Sequence, residues 1–171
     1  DSIRADYIVA GANNSPVPES VAGAVTKVPG ISDAVSFGIV SARLLGQARA
    51  GFAALGGDLN GVSVLNMLDG ASSKLPADGM FISERTANER GWKRGQTLTF
   101  TSADGTQVPV TIAGVYQDNE ALQPWMVGSQ VYEKVMPETS RITFGLFVKA
   151  APGTNLDTLR TDLENATSGY L

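Results

Sequence analysis

The residues of this 171-residue chain that could do chemistry are few, and they sit in stretches that read as loops. Asp118-Asn119-Glu120 brings two carboxylates and an amide together, the donor types of a Ca²⁺ site. A Ca²⁺ loop needs about six or more oxygens at regular spacing, so solvated loop charges are the plainer reading. Ser63 lies in Gly-Val-Ser-Val-Leu, which is not the G-x-S-x-G turn that exposes a serine nucleophile. Ser-Lys catalysis works without histidine, but Ser72, Ser73 and Lys74 lack the S-x-x-K spacing. Gly56-Gly57-Asp58 and Asp69-Gly70 match neither a Walker nor a dinucleotide-binding spacing and read as turns. Asn13 and Asn165 head N-glycosylation sequons, which matter only in a eukaryotic secretory setting; turn and helix-end roles account for both.

Composition narrows the chemistry further. There is no histidine and no cysteine. That removes the commonest general base, Ser-His and Cys-His dyads, thiol nucleophiles, thiolate metal sites and disulfides. Catalytic, cofactor-binding and metal-ligating residues are therefore all expected to be none, and the chain is expected not to be an enzyme. The net charge is −4 with Lys and Arg scattered, so the basic footprint of a nucleic-acid binder or a polybasic membrane patch is missing. No apolar run approaches the ~20 residues that span a bilayer. The chain opens on Asp1 without methionine or signal peptide, which reads as an excised or processed piece.

The elements follow from periodicity and punctuation. Residues 5–11 read as a strand and 13–18 as a turn. Pro18 and Glu19 start a helix with Val21, Val25 and Val28 on one face, and Pro29-Gly30 stops it. Residues 31–45 give one long or two short strands. Residues 47–55 are read as a strand, although a helix is compatible, and 56–78 are loop-rich with a helical turn over 62–68. Then comes the most self-contained stretch, residues 79–116. It holds a strand over 80–83, a helix capped by Ser83 and closed by Gly91, and two alternating runs around Asp104-Gly105, a strong hairpin signal. Residues 125–128 form a short strand. Ser129 is expected to cap a helix holding Val131, Tyr132, Val135 and Met136, which Pro137 ends. Residues 142–150 form a strand, and Asn155 caps a last helix with Leu156, Leu159 and Leu163 as its buried stripe. Residues 169–171 hint at a further strand.

Two strand-helix units thus bracket a β-rich middle. Neither can bury its faces alone, so the two should pack together. The expected fold class is α+β: a split β-α-β subdomain from residues 1–45 plus 140–171, with a β-rich subdomain carrying short helices inserted over 46–139. Phe52, Leu55, Trp125 and Met126 could cluster beside that insertion as an apolar binding surface. Core packing is the default for such a group, and Trp125, following Pro124, is its best candidate for an exposed contact.

The order of these features resembles a known family. The segments ADYIVAG and PESVAGAVTKVPGISDAVS look like the start of the extracytoplasmic domain of MacB/FtsX-type ABC transporter permeases. Gly79, Ile82-Ser83, Ala87, Gly91, Gly95-Gln96-Thr97-Leu98, Asp104-Gly105 and Ile112-Ala113-Gly114-Val115 are similar to its middle segment, although Gly-Asp is commoner than Gly95-Gln96. ITFGLFVKAAPGTNLDTLRTDL resembles its later strand-helix. The resemblance covers nearly the whole chain and rests on the order and spacing of all three segments. It implies a porter-like part and a sabre-like part, and transmembrane helices on both sides of the domain. It also implies a position outside the cytoplasmic membrane of a bacterial cell, a partner ATPase subunit and a second permease half. On that reading the domain is non-catalytic and couples ATP-driven membrane motion to export or to extracytoplasmic events. The alternative is an FtsX-like binding module that recruits an extracellular partner such as a cell-wall hydrolase.

Overall fold

The computed structural model describes residues 4–63, 65–70, 72–120, 122 and 124–168. In chain order, β1 (Tyr7–Val9), α1 (Glu19–Thr26), β2 (Ile31–Leu44) and β3 (Gln47–Leu55) form the first third. Then come α2 (Leu59–Val62), β4 (Met67–Asp69), β5 (Gly79–Ser83), α3 (Glu84–Arg90), β6 (Thr97–Thr101) and β7 (Gln107–Tyr116). The last third is β8 (Trp125–Val127), α4 (Ser129–Val135), β9 (Thr143–Ala150) and α5 (Leu156–Thr167).

Local chemistry sets many of the boundaries. The Ser83 side chain accepts from the Thr86 N–H to cap α3, and Gly91 closes it at φ 68°. Asn155 accepts from the Thr158 N–H to cap α5. Asp104 accepts from the Thr106 N–H at 3.0 Å and holds the turn between β6 and β7.

One open choice is settled and three expectations change. Residues 31–44 form one continuous strand, because different stretches of it find different partners: Ile31–Gly38 pairs with β9 and Ser36–Leu44 with β3. The helical turn comes earlier than 62–68, because Asp58 caps α2 by accepting from the Asn60 N–H, and residues 67–69 instead pair with β7. The cap of α4 is Gly128, not Ser129. A Cβ on residue 128 would lie 2.1 Å from the Pro76 carbonyl oxygen, and the Ala77 carbonyl accepts from the N–H groups of Gln130 and Val131. A neighbouring backbone therefore satisfies that helix start. Finally, Leu156 is 45% exposed; it sits in the first turn of α5, and the buried stripe is Leu159 and Leu163 with Ala166 packed beside them. The expected strand at 169–171 lies outside the described residues.

The described strands form one mixed sheet with two unlike regions. The pairings β2–β3, β3–β8, β8–β5, β5–β7, β7–β6 and β6–β2 join end to end. Six strands therefore close into a ring, filled by side chains as a small barrel is. Val40, Met80, Phe100, Ile112, Trp125 and Val127 belong to its core, and α4 contributes Val131, Tyr132 and Val135. The lower half of β2 leaves the ring and enters an open wing with strand order β1-β9-β2, in which β9 runs antiparallel to both neighbours. Helices α1 and α5 cover one face of this wing, where Val17, Val21, Val25 and Val28 meet Leu146, Val148, Leu159 and Leu163. On its opposite face Phe37 meets Phe52, Phe144 and Phe147 at ring-centroid distances of 5.8, 6.1 and 5.2 Å.

Candidate functional site

The apolar quartet Phe52, Leu55, Trp125 and Met126 is not one surface. Trp125 and Met126 are neighbours on β8, and successive strand residues point to opposite faces. Trp125 enters the ring core and Met126 the core under α2. Trp125 is 4% exposed and Met126 fully buried. Core packing, the default reading, holds for both, and the alternative of an exposed contact at Trp125 is overturned. Its indole lies on β3, where a Cβ at Gly51 would meet it at 2.5 Å, and it packs on Phe100 with ring centroids 5.3 Å apart. Glycine in mid-strand signals a bulge or a close approach, so Gly51 was the sequence feature that could have revealed this. Phe52 belongs to the phenylalanine face and Leu55 to the opposite one.

The loop residues weighed for chemistry have structural neighbours. Asp118 accepts from the Arg85 N–H at 3.2 Å and faces the Arg85 guanidinium at 3.8 Å, tying the loop after β7 to the first turn of α3. Ser63 is buried beyond the end of α2, its N–H donating to the Leu59 carbonyl. Ser73 donates to Asp58 at 2.7 Å and Ser72 accepts from the Lys74 N–H. The Gly56-Gly57-Asp58 turn is organised by Asp33, whose carboxylate accepts from the Asp58 N–H at 3.0 and 3.2 Å. A Cβ on Gly57 or Gly61 would lie 2.5 or 2.6 Å from that carboxylate. Asp69 pairs with Arg94 at 2.8 Å. Asn13 is exposed in a turn, and Asn165 is exposed in the last turn of α5. Among the described residues no group of three or more acidic side chains is placed to share a metal ion.

Two of the concavities among the described residues are candidate sites. A cleft of about 660 Å³ opens beside the ring. Trp125 and Trp92 line its base, Arg49, Arg85 and Arg90 stand against Glu89, Asp118 and Glu120 around it, and the Arg90 guanidinium lies 5.9 Å from the Trp92 ring. Its charges balance, so it selects for neither sign. Below it, burial pushes the Tyr116 hydroxyl pKa far up and the Asp118 charge adds to the shift, so this phenol stays neutral. A second groove of about 420 Å³ runs between α1 and α4 over β2 and β9. The Tyr132 hydroxyl sits there, donating to the Ile142 carbonyl at 3.3 Å, and burial raises its pKa.

Comparison with solved structures fits this fold closely enough to name it. The chain superposes on the periplasmic region of MacB from Actinobacillus actinomycetemcomitans with a TM-score of 0.63, covering 94% of this chain and 81% of that one at 15% identity. It has the fold of a MacB-type permease ectodomain. The extracellular domain of the noncanonic ABC-type transporter YknZ from Gram-positive bacteria matches with a TM-score of 0.60, at 16% identity over 92% of this chain and 86% of that one. A domain described as belonging to a permease protein from Porphyromonas gingivalis matches at 0.62, with 18% identity over 92% and 79%. No protein-family model and no curated protein sequence matches the chain. Among the described residues no helix is long and apolar enough to cross a membrane.

Proposed function

We propose that this chain is the non-catalytic extracytoplasmic domain of an ABC transporter permease, coupling ATP-driven movement of membrane helices to export or to other extracytoplasmic events. The observation that carries the reading is the fold, shared over more than nine-tenths of the chain with three domains of permease or transporter proteins. On this reading the cognate ATPase subunit and a second permease half are its partners in the full-length protein. The working parts are the porter-like segments 1–45 plus 140–171 and the sabre-like segment 46–139. Strand β2 of the first segment pairs with β9 of the porter-like part and with β3 and β6 of the sabre-like one, so motion of one reaches the other through a continuous hydrogen-bonded element. Two parts that each keep their shape while the angle between them changes are what hinge-type transmission needs. An open groove and a half-buried phenylalanine face favour a second reading, an FtsX-like module that recruits an extracytoplasmic partner.

Two measurements test the reading. The coding sequence around this segment should specify apolar helices of about 20 residues on both sides; a parent protein without them refutes it. In the reconstituted full-length transporter, a cysteine pair at Gly23 and Glu133, in a chain without native cysteines, should abolish transport when cross-linked and restore it on reduction. Unchanged transport after cross-linking refutes mechanical coupling and leaves recruitment.

A further inference from the structure

The groove between α1 and α4 has a floor, walls and a rim of different character. Its floor is Ala34, Ser36, Leu55 and Leu146, from three strands that already pair with one another on both sides. No free strand edge is offered, so an extended peptide cannot add to the sheet there. The layer that covers this face is helical, with α1 on one side of the gap and α4 on the other. What fits between two helices on a sheet is another helix.

The wall supplied by α1 is small. Ala22 and Gly23 face the gap, and a Cβ on Gly23 would meet nothing within 4 Å. Glycine in a helix interior costs about 1 kcal/mol relative to alanine, and nothing among the described residues requires its missing side chain. A partner backbone approaching α1 closely would require it. The rim is acidic. Glu19, Glu133 and Glu138 line it and are exposed, and among the described residues none of them is in an ion pair. The one cation there, Arg141, is turned to the backbone, donating to the carbonyls of Met136 at 3.1 Å and Glu133 at 2.9 Å. It answers the α4 carbonyls and leaves the three carboxylates to an incoming positive charge.

We propose that the α1–α4 groove docks a basic amphipathic helix of a partner protein, its apolar side on the half-buried Ala22, Ala34 and Leu55, its backbone against Gly23 and its Lys or Arg side chains on the glutamate rim. The docking does not rest on the transporter reading and is measured on the isolated chain.

The probe is a Leu/Lys amphipathic peptide of about 18 residues, or five helical turns, titrated into isotopically labelled protein and followed by amide NMR shifts. Its acidic counterpart, with Glu in place of Lys, is titrated in parallel. Binding should shift amides in α1, in β2 near Ala34 and Ser36, and in α4. Affinity should fall by about tenfold for the acidic peptide, and by a similar factor for Glu133→Lys/Glu138→Lys at low salt. Gly23→Leu should weaken binding by about tenfold or more, whereas Gly23→Ala should raise the melting temperature and keep binding within about threefold. Equal affinity for the two peptides, shifts outside the groove, or binding indifferent to Gly23→Leu would each overturn the proposal. So would concentration-dependent shifts of the same amides without peptide, which would assign the groove to a second copy.

Discussion

The ring and the wing solve the same problem differently. Both must bury one sheet face and deal with strand edges. The ring closes on itself through β6 and β2, and a closed sheet has no edge to protect. Its core is a single cluster in which Met80, Ile82, Phe100 and Ile112 are sealed. The wing stays open, with a three-residue edge strand β1. It borrows helices for one face and leaves Ile8, at 51%, exposed. The hairpin β6–β7 brings partners together across a five-residue turn, whereas β2 and β9 join Ile31 to Ala150 across most of the chain. The hairpins of the ring, β2–β3 and β6–β7, are therefore locally encoded, whereas the wing is held by long-range pairings alone and depends on the ring.

Truncating a phenylalanine in each region is the largest test of that dependence. Phe37 and Phe100 are 1% and 0% exposed, and cutting either to alanine should cost about 3–5 kcal/mol. The consequences should differ. Both tryptophans belong to the ring core, so fluorescence reports the ring, while α1 and α5 of the wing weigh on far-UV circular dichroism. In Phe37→Ala the dichroism transition in urea should precede the fluorescence transition, because the wing can open while the ring persists. In Phe100→Ala the two should move down together. Coincident transitions in both variants would mean the two regions form one cooperative unit.

A smaller test addresses the joint. Tyr132 of α4 lies against Gly38, where an added Cβ would be 2.9–3.0 Å from its ring, and its hydroxyl donates to the Ile142 carbonyl just before β9. Gly38→Ala should overpack this contact at a cost of about 1–3 kcal/mol. Tyr132→Phe should cost about 0.5–1.5 kcal/mol by removing the hydrogen bond alone. The raised Tyr132 pKa adds a pH signature. A phenol whose folded pKa lies above its unfolded value contributes stability fully present below about pH 10, lost as pH rises beyond it. Tyr132→Phe should flatten part of that alkaline loss, with buried Tyr116 supplying the rest; an unchanged alkaline limb would show that folding does not hold the Tyr132 phenol neutral.

Legibility in the sequence followed the range of an interaction and not the region it lies in. Ser83, Gly91, Asp104-Gly105 and Asn155 act on residues two to four positions away, and each was readable because cap and turn chemistry is local. Ser129 failed as a cap because Ala77, about fifty residues earlier, supplies the carbonyl its helix start uses. Trp125 failed as a surface residue because Gly51, on another strand, is shaped to receive it. The closure of six strands into a ring was unreadable for the same reason: Arg43 and Leu44 pair with Thr101 and Phe100, and nothing in either segment names the other. The groove between α1 and α4 left one sequence trace, a glycine in mid-helix at position 23.

The smallest effect lies at the tip of the ring and isolates its local encoding. Asp104 accepts from the Ser102 hydroxyl and from the Thr106 N–H, and these bonds, the Ser102 one foremost, lower its pKa from 3.8 to about 2. A carboxyl whose folded pKa is depressed contributes stability above its unfolded pKa and loses it as pH falls toward the folded one. The loss therefore falls between about pH 4 and pH 2. Asp104→Asn keeps an acceptor for the Thr106 N–H but does not titrate. Hydrogen exchange of the Thr106 amide should rise in the wild type as pH falls through this window, beyond the change in intrinsic rate, and should show no such rise in Asp104→Asn. Because the group is exposed, the wing should not respond: amides of β9 should exchange identically in both proteins. A matching acid-induced rise in β9 would show that hairpin and wing are coupled after all, and the contrast between a locally encoded hairpin and a dependent wing would fail at its most local point.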